Sequence, residues 1–559
     1  MPDSATLPDS AILKATAHVD SFARDNLPPR EQWPEIDLTG VPELGAYPEW
    51  LNCASELLDR QAEVHGDRPA FRTETMVWTY RELREKVDRI AHVLVDDLGV
   101  VPGNRVLLRA PNNPMYVACW FAVMKVGAVA VATMPLLRWR ELTFMAQKAR
   151  IHVALCDSRL AEEMEQTLQR SDDLKRVVYF NGGGSAADDL PDGLEALMAT
   201  KPPRFQTVRT AAEDVCLIAF TSGTTGQPKG CMHFHRDIMA VCDTFNRYVL
   251  RPGPDDIFTG SPPIAFTFGL GAQVLFPMHA GASTLLVEQY NPTKTLEMIQ
   301  RHGVTVLFTA PTAYRSMLDL LGGYDLSSLK QCVSAGETLP KPTWDAWYES
   351  TGIRIIDGLG STEMLHIFIA TAGDEIRPGA TGRAIPGFQA CIFDAEGRPA
   401  PPNTVGRLAI RGPTGCRYLD NAERQQSYVQ QGWNFTGDSY MADEDGYYWY
   451  QARTDDMIIS AGYNISGPEV EAVLLLHDKV RDCAVIGAPD AARGQIVKAF
   501  VVLREGVDPS PELARELQDF AKAEIAPYKY PRAIEFVTDL PRTQTGKVQR
   551  FVLREQEAG

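Results

Sequence analysis

Between residues 50 and 98 the apolar positions recur at helical spacing over 54–65, take on extended character over 70–80, and return to helical spacing from Tyr80. Further along, short continuous apolar runs alternate with amphipathic stretches. This predicts strands at 105–109, 153–156, 176–180 and 306–309, and helices at 142–149 and 295–302. Strands alternating with helices build parallel sheets covered by helices, an α/β architecture whose ligands sit beyond the carboxyl ends of the strands. The loops that follow strands are where chemistry is to be sought.

One apolar run, 115–137, raises the question of a membrane span. Lys125, Gly127 and Pro135 interrupt it, which predicts a buried helix at 115–125 turning into a buried strand at 128–133. From Gly406 the pattern becomes strand- and turn-rich, with a strand at 406–411 and an aromatic one at 447–450 after the Asp-Glu-Asp-Gly turn at 443–446. A smaller mixed module begins near Asp455, with helices at 468–476 and 511–525 and strands at 482–486, 497–503 and 533–536. The chain thus divides into a large N-terminal domain, 1–454, of α/β subdomains with parallel sheets plus a β-rich subdomain, and a small α+β C-terminal domain, 455–559.

Composition narrows the partners. A chain of 559 residues, 45% hydrophobic and 23% charged, can bury large cores, and a net charge of −17 repels phosphate backbones and anionic lipid. No nucleic acid and no membrane are expected as partners. The ten cysteines lack any C-x-x-C pair or clustered spacing, as reduced thiols packed as small apolar groups do, and the opening Met-Pro-Asp-Ser-Ala-Thr has no basic-then-apolar leader. A cytoplasmic monomer or homodimer is expected.

The most informative segment is CLIAFTSGTTGQPKG at 216–230, an apolar strand running into hydroxyls, glycines and a lysine. Glycines let several backbone N–H groups point at one anion, while Thr221, Ser222, Thr224 and Thr225 add hydroxyl donors around Gly223 and Gly226, and Lys229 adds charge. It is not a G-x-x-x-x-G-K-[ST] loop, because its lysine lies three residues beyond Gly226 and is followed by Gly230. It resembles the phosphate loop of the adenylate-forming superfamily, which includes acyl-CoA synthetases, luciferases and peptide-synthetase adenylation domains.

The resemblance extends along nearly the whole chain. Asp357-Gly-Leu-Gly-Ser-Thr-Glu363 is similar to the second family signature. It implies nucleotide contacts from Asp357, Gly358 and Leu359, Thr362 near the α-phosphate and Glu363 as the ligand of Mg2+, a hard cation satisfied by one or two carboxylates plus phosphate and water. Gly336 and Glu337 of Ser334-Ala-Gly-Glu337 are placed with the nucleotide. Trp433-Asn-Phe-Thr-Gly-Asp438 resembles the ribose motif, with Asp438 accepting from two hydroxyls. The stretch from Gln451 to Gly462 resembles the hinge, with Arg453 near the ribose or phosphates and Asp455 as the residue about which the small domain turns. Pro541-Arg-Thr-Gln-Thr-Gly-Lys547 resembles the catalytic-lysine motif.

What this implies is a two-step reaction using ATP, Mg2+ and coenzyme A. A carboxylate repels a thiol and has no usable leaving group, so its oxygen first attacks the α-phosphorus of ATP and pyrophosphate departs. Lys547 bridges acid and α-phosphate while the 221–230 loop takes the other phosphates, so positioning and charge neutralisation dominate. The CoA thiol then attacks the carbon beside which Lys547 stood, so the small domain rotates, withdrawing Lys547 and bringing Gly462 beside the pantetheine arm.

Ser261-Pro-Pro-Ile-Ala-Phe-Thr-Phe-Gly-Leu-Gly271 resembles the motif lining the acid pocket, with Phe266 and Gly269; Tyr314, Ala335, Gly360 and His366 are expected to complete the walls. Gly360-Ser-Thr-Glu-Met-Leu-His-Ile-Phe368 and the stretch from His18 to Trp33 resemble the benzoate-CoA and 2-aminobenzoate-CoA ligase branch. A small aromatic carboxylic acid is implied, 2-aminobenzoate or another ortho-substituted benzoate such as salicylate. Benzoate itself, or transfer to a carrier-protein thiol in place of free CoA, stands as the alternative.

Overall fold

The computed structural model describes residues 15–181, 193–221, 228–453, 456–460, 463–490, 494–525, 529–543 and 546–558. Among them the strands form four sheets. One has six strands in the order Arg176–Phe180, Val153–Asp157, Arg105–Arg109, Val129–Thr133, Val215–Thr221 and Lys229–Phe234, parallel except for the last pair. The apolar runs read from the sequence are its inner strands. Arg105–Arg109 and Val153–Asp157 are buried throughout, as strands covered on both faces must be. Arg109 is buried because its guanidinium donates to the carbonyls of Met134, Pro135 and Leu137, each at 2.9 Å, tying down the neighbouring strand's exit.

The 115–137 run folds as predicted, into helix Pro114–Lys125 and strand Val129–Thr133. Asn113 caps the helix and every residue of it is buried. Its one charge, the Lys125 ammonium, lies 2.5 Å from Asp59 and 2.6 Å from Asp88, the pairing a buried cation requires. No described helix is long and apolar enough to cross a membrane.

The second sheet has nine strands in the order Arg383–Ala384, Ile367–Ala370, Ile355–Gly360, Gln331–Ala335, Val306–Thr309, Ile257–Gly260, Ser283–Leu285, Pro69–Arg72 and Val77–Thr79. Its centre is parallel and its edges antiparallel. A third, wholly antiparallel sheet joins Gln389–Phe393, Val405–Arg411, Trp433–Ala442, Val429–Gln430 and Tyr448–Arg453.

Beyond Ile458 lies a fourth sheet, with helices Gly467–Leu474 and Pro511–Glu524, whose two apolar clusters draw only on residues from Ile458 onward. The strand expected at 482–486 is longer, Val480–Asp490, because it pairs along its length with Gly494–Leu503. The helix expected at 142–149 starts at Trp139, whose N–H is accepted by the distant Glu163 carboxylate at 2.7 Å. Both differences come from partners remote in sequence.

Candidate active site

Strands Ile257–Gly260, Val306–Thr309, Gln331–Ala335 and Ile355–Gly360 are parallel and adjacent in the nine-stranded sheet. Their carboxyl ends therefore line one edge. From that edge issue Ser261, Gly336, Glu337, Thr362 and Glu363, the position at which α/β sheets bind ligands. Asp357, Gly358 and Leu359 lie within the last of these strands, Asp357 opposite Ser334 and Gly358 opposite Ala335. From the six-stranded sheet, Thr221 and Lys229 face each other across the antiparallel pair at the two ends of the 222–228 stretch. Ser222, Gly223, Thr224, Thr225 and Gly226 lie outside the described residues, as do Asp455 and Gly462.

The turn carrying Thr362 and Glu363 is held from several sides. Thr362 O accepts from Leu365 N at 3.1 Å and lies 2.8 Å from His233 Nε2. A carbonyl can only accept, so that nitrogen carries the hydrogen. Burial disfavours the His233 cation, yet the Cys231 thiolate and the Asp237 carboxylate outweigh it and raise the pKa to about 9. Tyr418 donates to Glu363 Oε1 at 2.5 Å. Leu365 sits at φ +73°, a left-handed conformation that a branched side chain adopts only when its surroundings impose it. Neither His233 nor Tyr418 carries a sequence signal of this role; each is joined to the turn only through the sheets.

Lys547, although 184 positions from Glu363 by residue number, is brought into the same cleft. A Cβ on Gly336, which has φ +93°, would lie 3.7 Å from Lys547 Cε, so the glycine leaves room for the side chain. Burial pushes the Lys547 ammonium below its ordinary pKa, opposed by the carboxylates of Glu337, Asp438 and Glu363. Burial likewise raises Glu337 and Asp438, against the pull of Arg542 and Lys547 on the first and of Arg453 and Lys547 on the second. Asp438 and Arg453 are cross-strand partners, with Arg453 donating to the carboxylate at 3.2 Å. Lys229 is lowered by burial and by Arg424, and its cation is favoured by Glu363. Cations and carboxylates thus surround one cleft beside a hydroxyl-rich strand end.

Beside Thr362 lies an aromatic cluster around His366. Its ring centroid is 4.5 Å from that of Phe276, 5.6 Å from Phe245 and 5.7 Å from Phe268. Burial drives its pKa down to about 3, so the imidazole is neutral. Nε2 faces the Phe268 carbonyl at 3.4 Å, which places the hydrogen there, and Nδ1 is buried without a described partner. Glycines make the space: a Cβ on Gly271 would lie 2.3 Å from His366 Cδ2, and one on Gly360 2.7 Å from His366 O. Gly269 is equally constrained, its Cβ position 2.1 Å from Pro263 O.

Not every expected wall residue is brought here. Tyr314 is fully buried beneath the sheet, its hydroxyl donating to Leu307 O at 3.2 Å and Val333 O at 3.0 Å and its ring against Trp347. Helix Pro311–Leu318 turns that side inward, so Tyr314 packs the core. Phe266 is half-buried at the start of helix Thr267–Leu270, and the ring meeting His366 belongs to Phe268, two residues on. Ala335 is buried at the end of its strand. The cysteines are free and buried except for half-buried Cys391, as the sequence led one to expect.

An AMP-binding enzyme family model matches residues 58–417, and an AMP-binding enzyme C-terminal domain model matches 469–547. The chain is 33% identical to a benzoate–CoA ligase of Thauera aromatica, over 93% of this chain and 98% of that one. The crystal structure of an anthranilate CoA ligase, AuaEII, in complex with anthranoyl-AMP superposes with a TM-score of 0.87 at 34% identity, over 92% of this chain and 98% of that one. A benzoate CoA ligase from Burkholderia xenovorans LB400 gives a TM-score of 0.82 at 31% identity, over 90% and 100%. The chain therefore belongs to the AMP-binding enzyme family, as an adenylate-forming ligase of the acyl- and aryl-CoA ligase group.

Proposed function

We propose that the chain is an ATP-dependent arylcarboxylate–CoA ligase that forms an aryl-adenylate and then an aryl-CoA thioester, releasing pyrophosphate and AMP. The observation that carries this reading is Lys547 in the cleft, its Cε 3.7 Å from the Cβ position of Gly336, with the carboxylates of Glu337, Asp438 and Glu363 favouring its cation. A preorganised cation there stabilises charge developing on the acid and α-phosphate oxygens, the group on which such reactions depend most. Asp438 holds the ribose hydroxyls with Arg453 beside it, and Thr362 lies against the α-phosphate. Thr221, residues 222–226 and Lys229 take the remaining phosphates.

Glu363 suits a magnesium ion: it offers hard oxygen, its Oε1 is oriented by Tyr418, and no described cation forms a salt bridge with it. Magnesium bound there neutralises charge on the phosphates. The boundary between domains falls at 454/455, with Asp455 as hinge and Gly462 approaching the CoA arm once the small domain has turned; the separate apolar clusters beyond Ile458 support that division.

The acid is 2-aminobenzoate or another ortho-substituted benzoate such as salicylate. His366 Nδ1, a bare acceptor among aromatic rings, is what an ortho amine or hydroxyl needs for a donor contact, and the relatives named for benzoate and anthranilate support an aryl acid. A pyrophosphate-release screen over substituted benzoates, each with ATP and CoA, tests the reading. Turnover should be highest with an ortho donor. A best substrate among aliphatic acids, or product formed with a carrier-protein thiol and not with CoA, would refute it.

A further inference from the structure

We propose that Arg315 and Asp482 are positioning residues that seat Lys547 for the adenylate-forming half-reaction. This rests on the ligase reading above. Arg315 belongs to helix Pro311–Leu318 of the large unit and Asp482 to strand Val480–Asp490 of the small one. The Arg315 guanidinium donates to Asp482 Oδ1 at 2.8 Å, and Asp482 Oδ2 accepts from Arg542 at 2.6 Å. One carboxylate is thus gripped by a guanidinium from each unit.

Arg542 carries the effect to the cleft. It donates to Gly546 O at 2.5 Å, in the loop where Thr543 N donates to Lys547 O at 2.7 Å, and it lies 3.7 Å from the buried Glu337 carboxylate. The same helix also presents Thr312 to Gly546: a Cβ there would lie 3.9 Å from Thr312 Oγ1, and Gly546 holds φ +90°. The charged groups facing Asp482 are accordingly Arg315 and Arg542, while Glu337 faces Arg315, Arg542 and Lys547.

The two kinds of contact respond differently to rotation of the small unit. Asp482–Arg542 moves as a piece. Arg315–Asp482 and Arg542–Glu337 span the units and must break when Lys547 leaves. Their attraction is present in one arrangement only, so it biases the equilibrium towards adenylation and does nothing for thioester formation. Arg315 and Asp482 side chains are 23% and 21% exposed, well below the 52% and 82% of the looser Arg504–Asp319 pair on the same helix's end, so the first pair is the less screened.

The test separates the half-reactions. Wild-type enzyme is first assayed for 2-aminobenzoate-dependent ATP–pyrophosphate exchange, since absence of exchange with any aryl acid would sink the ligase reading itself. Arg315→Ala and Asp482→Asn are then compared with wild type in that exchange and in thioester formation from CoA and supplied 2-aminobenzoyl-adenylate. Exchange should fall roughly three- to fivefold, the range for a partly screened pair, while thioester formation is unchanged or faster. Arg315→Lys should recover most of the exchange. Equal loss in both half-reactions, or an unaltered ratio between them, overturns the proposal.

Discussion

On the large-unit side of the cleft, Thr362 and Glu363 follow a strand of the largely buried, parallel centre of the nine-stranded sheet, and their turn is bonded to His233 and Tyr418 of other strands and loops. On the small-unit side, Lys547 is carried by a loop whose links to the large unit are Coulombic: Arg315–Asp482, Arg542–Glu337 and Lys547's own attraction to Glu337 and Asp438. Apolar packing resists displacement over any distance, because exposing the surface costs free energy throughout. Charged pairs at a partly wet boundary separate at little net cost, because water replaces the partner. A fixed wall and a lysine that we propose moves away are thus built from different interactions.

The comparison breaks most completely at the lysine. Lys547→Ala should lower acid-dependent pyrophosphate exchange by ~10²–10³-fold, the usual loss for one preorganised donor, while thioester formation from a supplied adenylate stays near wild type. Parallel collapse of both rates would mean that the lysine does not leave. On the fixed side, His233→Gln leaves Thr362 O without its charged donor and should cost about 1–3 kcal/mol of stability in denaturant unfolding. It should slow both half-reactions together, in contrast to Arg315→Ala.

At the aromatic cluster, His366→Phe should narrow the kcat/KM preference for 2-aminobenzoate over benzoate roughly three- to tenfold, the worth of one neutral hydrogen bond. The same substitution tests pH dependence. With a folded pKa near 3 against an unfolded value of 6.5, the unfolded chain binds the extra proton between those limits. His366 therefore makes stability fall as pH drops through 6.5 towards 3, and urea midpoints of His366→Phe should be flatter over that window. The smallest effect is expected at Tyr314→Phe, about 1 kcal/mol of stability from the lost hydroxyl contacts with no change in KM for the acid, as suits a core residue.

Much of the fold was legible because the inner strands are continuous apolar runs that only a doubly covered sheet explains; 105–109 and 306–309 agree with the observed inner strands residue for residue, and 176–180 agrees with an edge strand of the six-stranded sheet. Boundaries were misjudged at Trp139 and Val480, where a distant carboxylate and a long hairpin partner extend the element. At the candidate site, Gly336, Thr362, Glu363, Asp438 and Lys547 were named from motifs that resemble the family's signatures, and the fold brings them to one cleft. Tyr314 shows the limit. A helix of aromatic and small residues does not announce which face it buries, so Tyr314 went to the core.

The order of residues alone determined which hydroxyl, carboxylate and cationic groups the cleft could draw on, and that α/β subdomains with parallel sheets, a β-rich subdomain and a smaller module carry them. That information is local: periodicity, glycine at a turn, a carboxylate after a strand. Tertiary structure decided that Lys547 comes to the Gly336 turn, that Asp482 is shared between guanidiniums of both units, and that His366 is neutral. Distance, burial and dielectric are properties of the folded assembly, and no stretch of chain contains them.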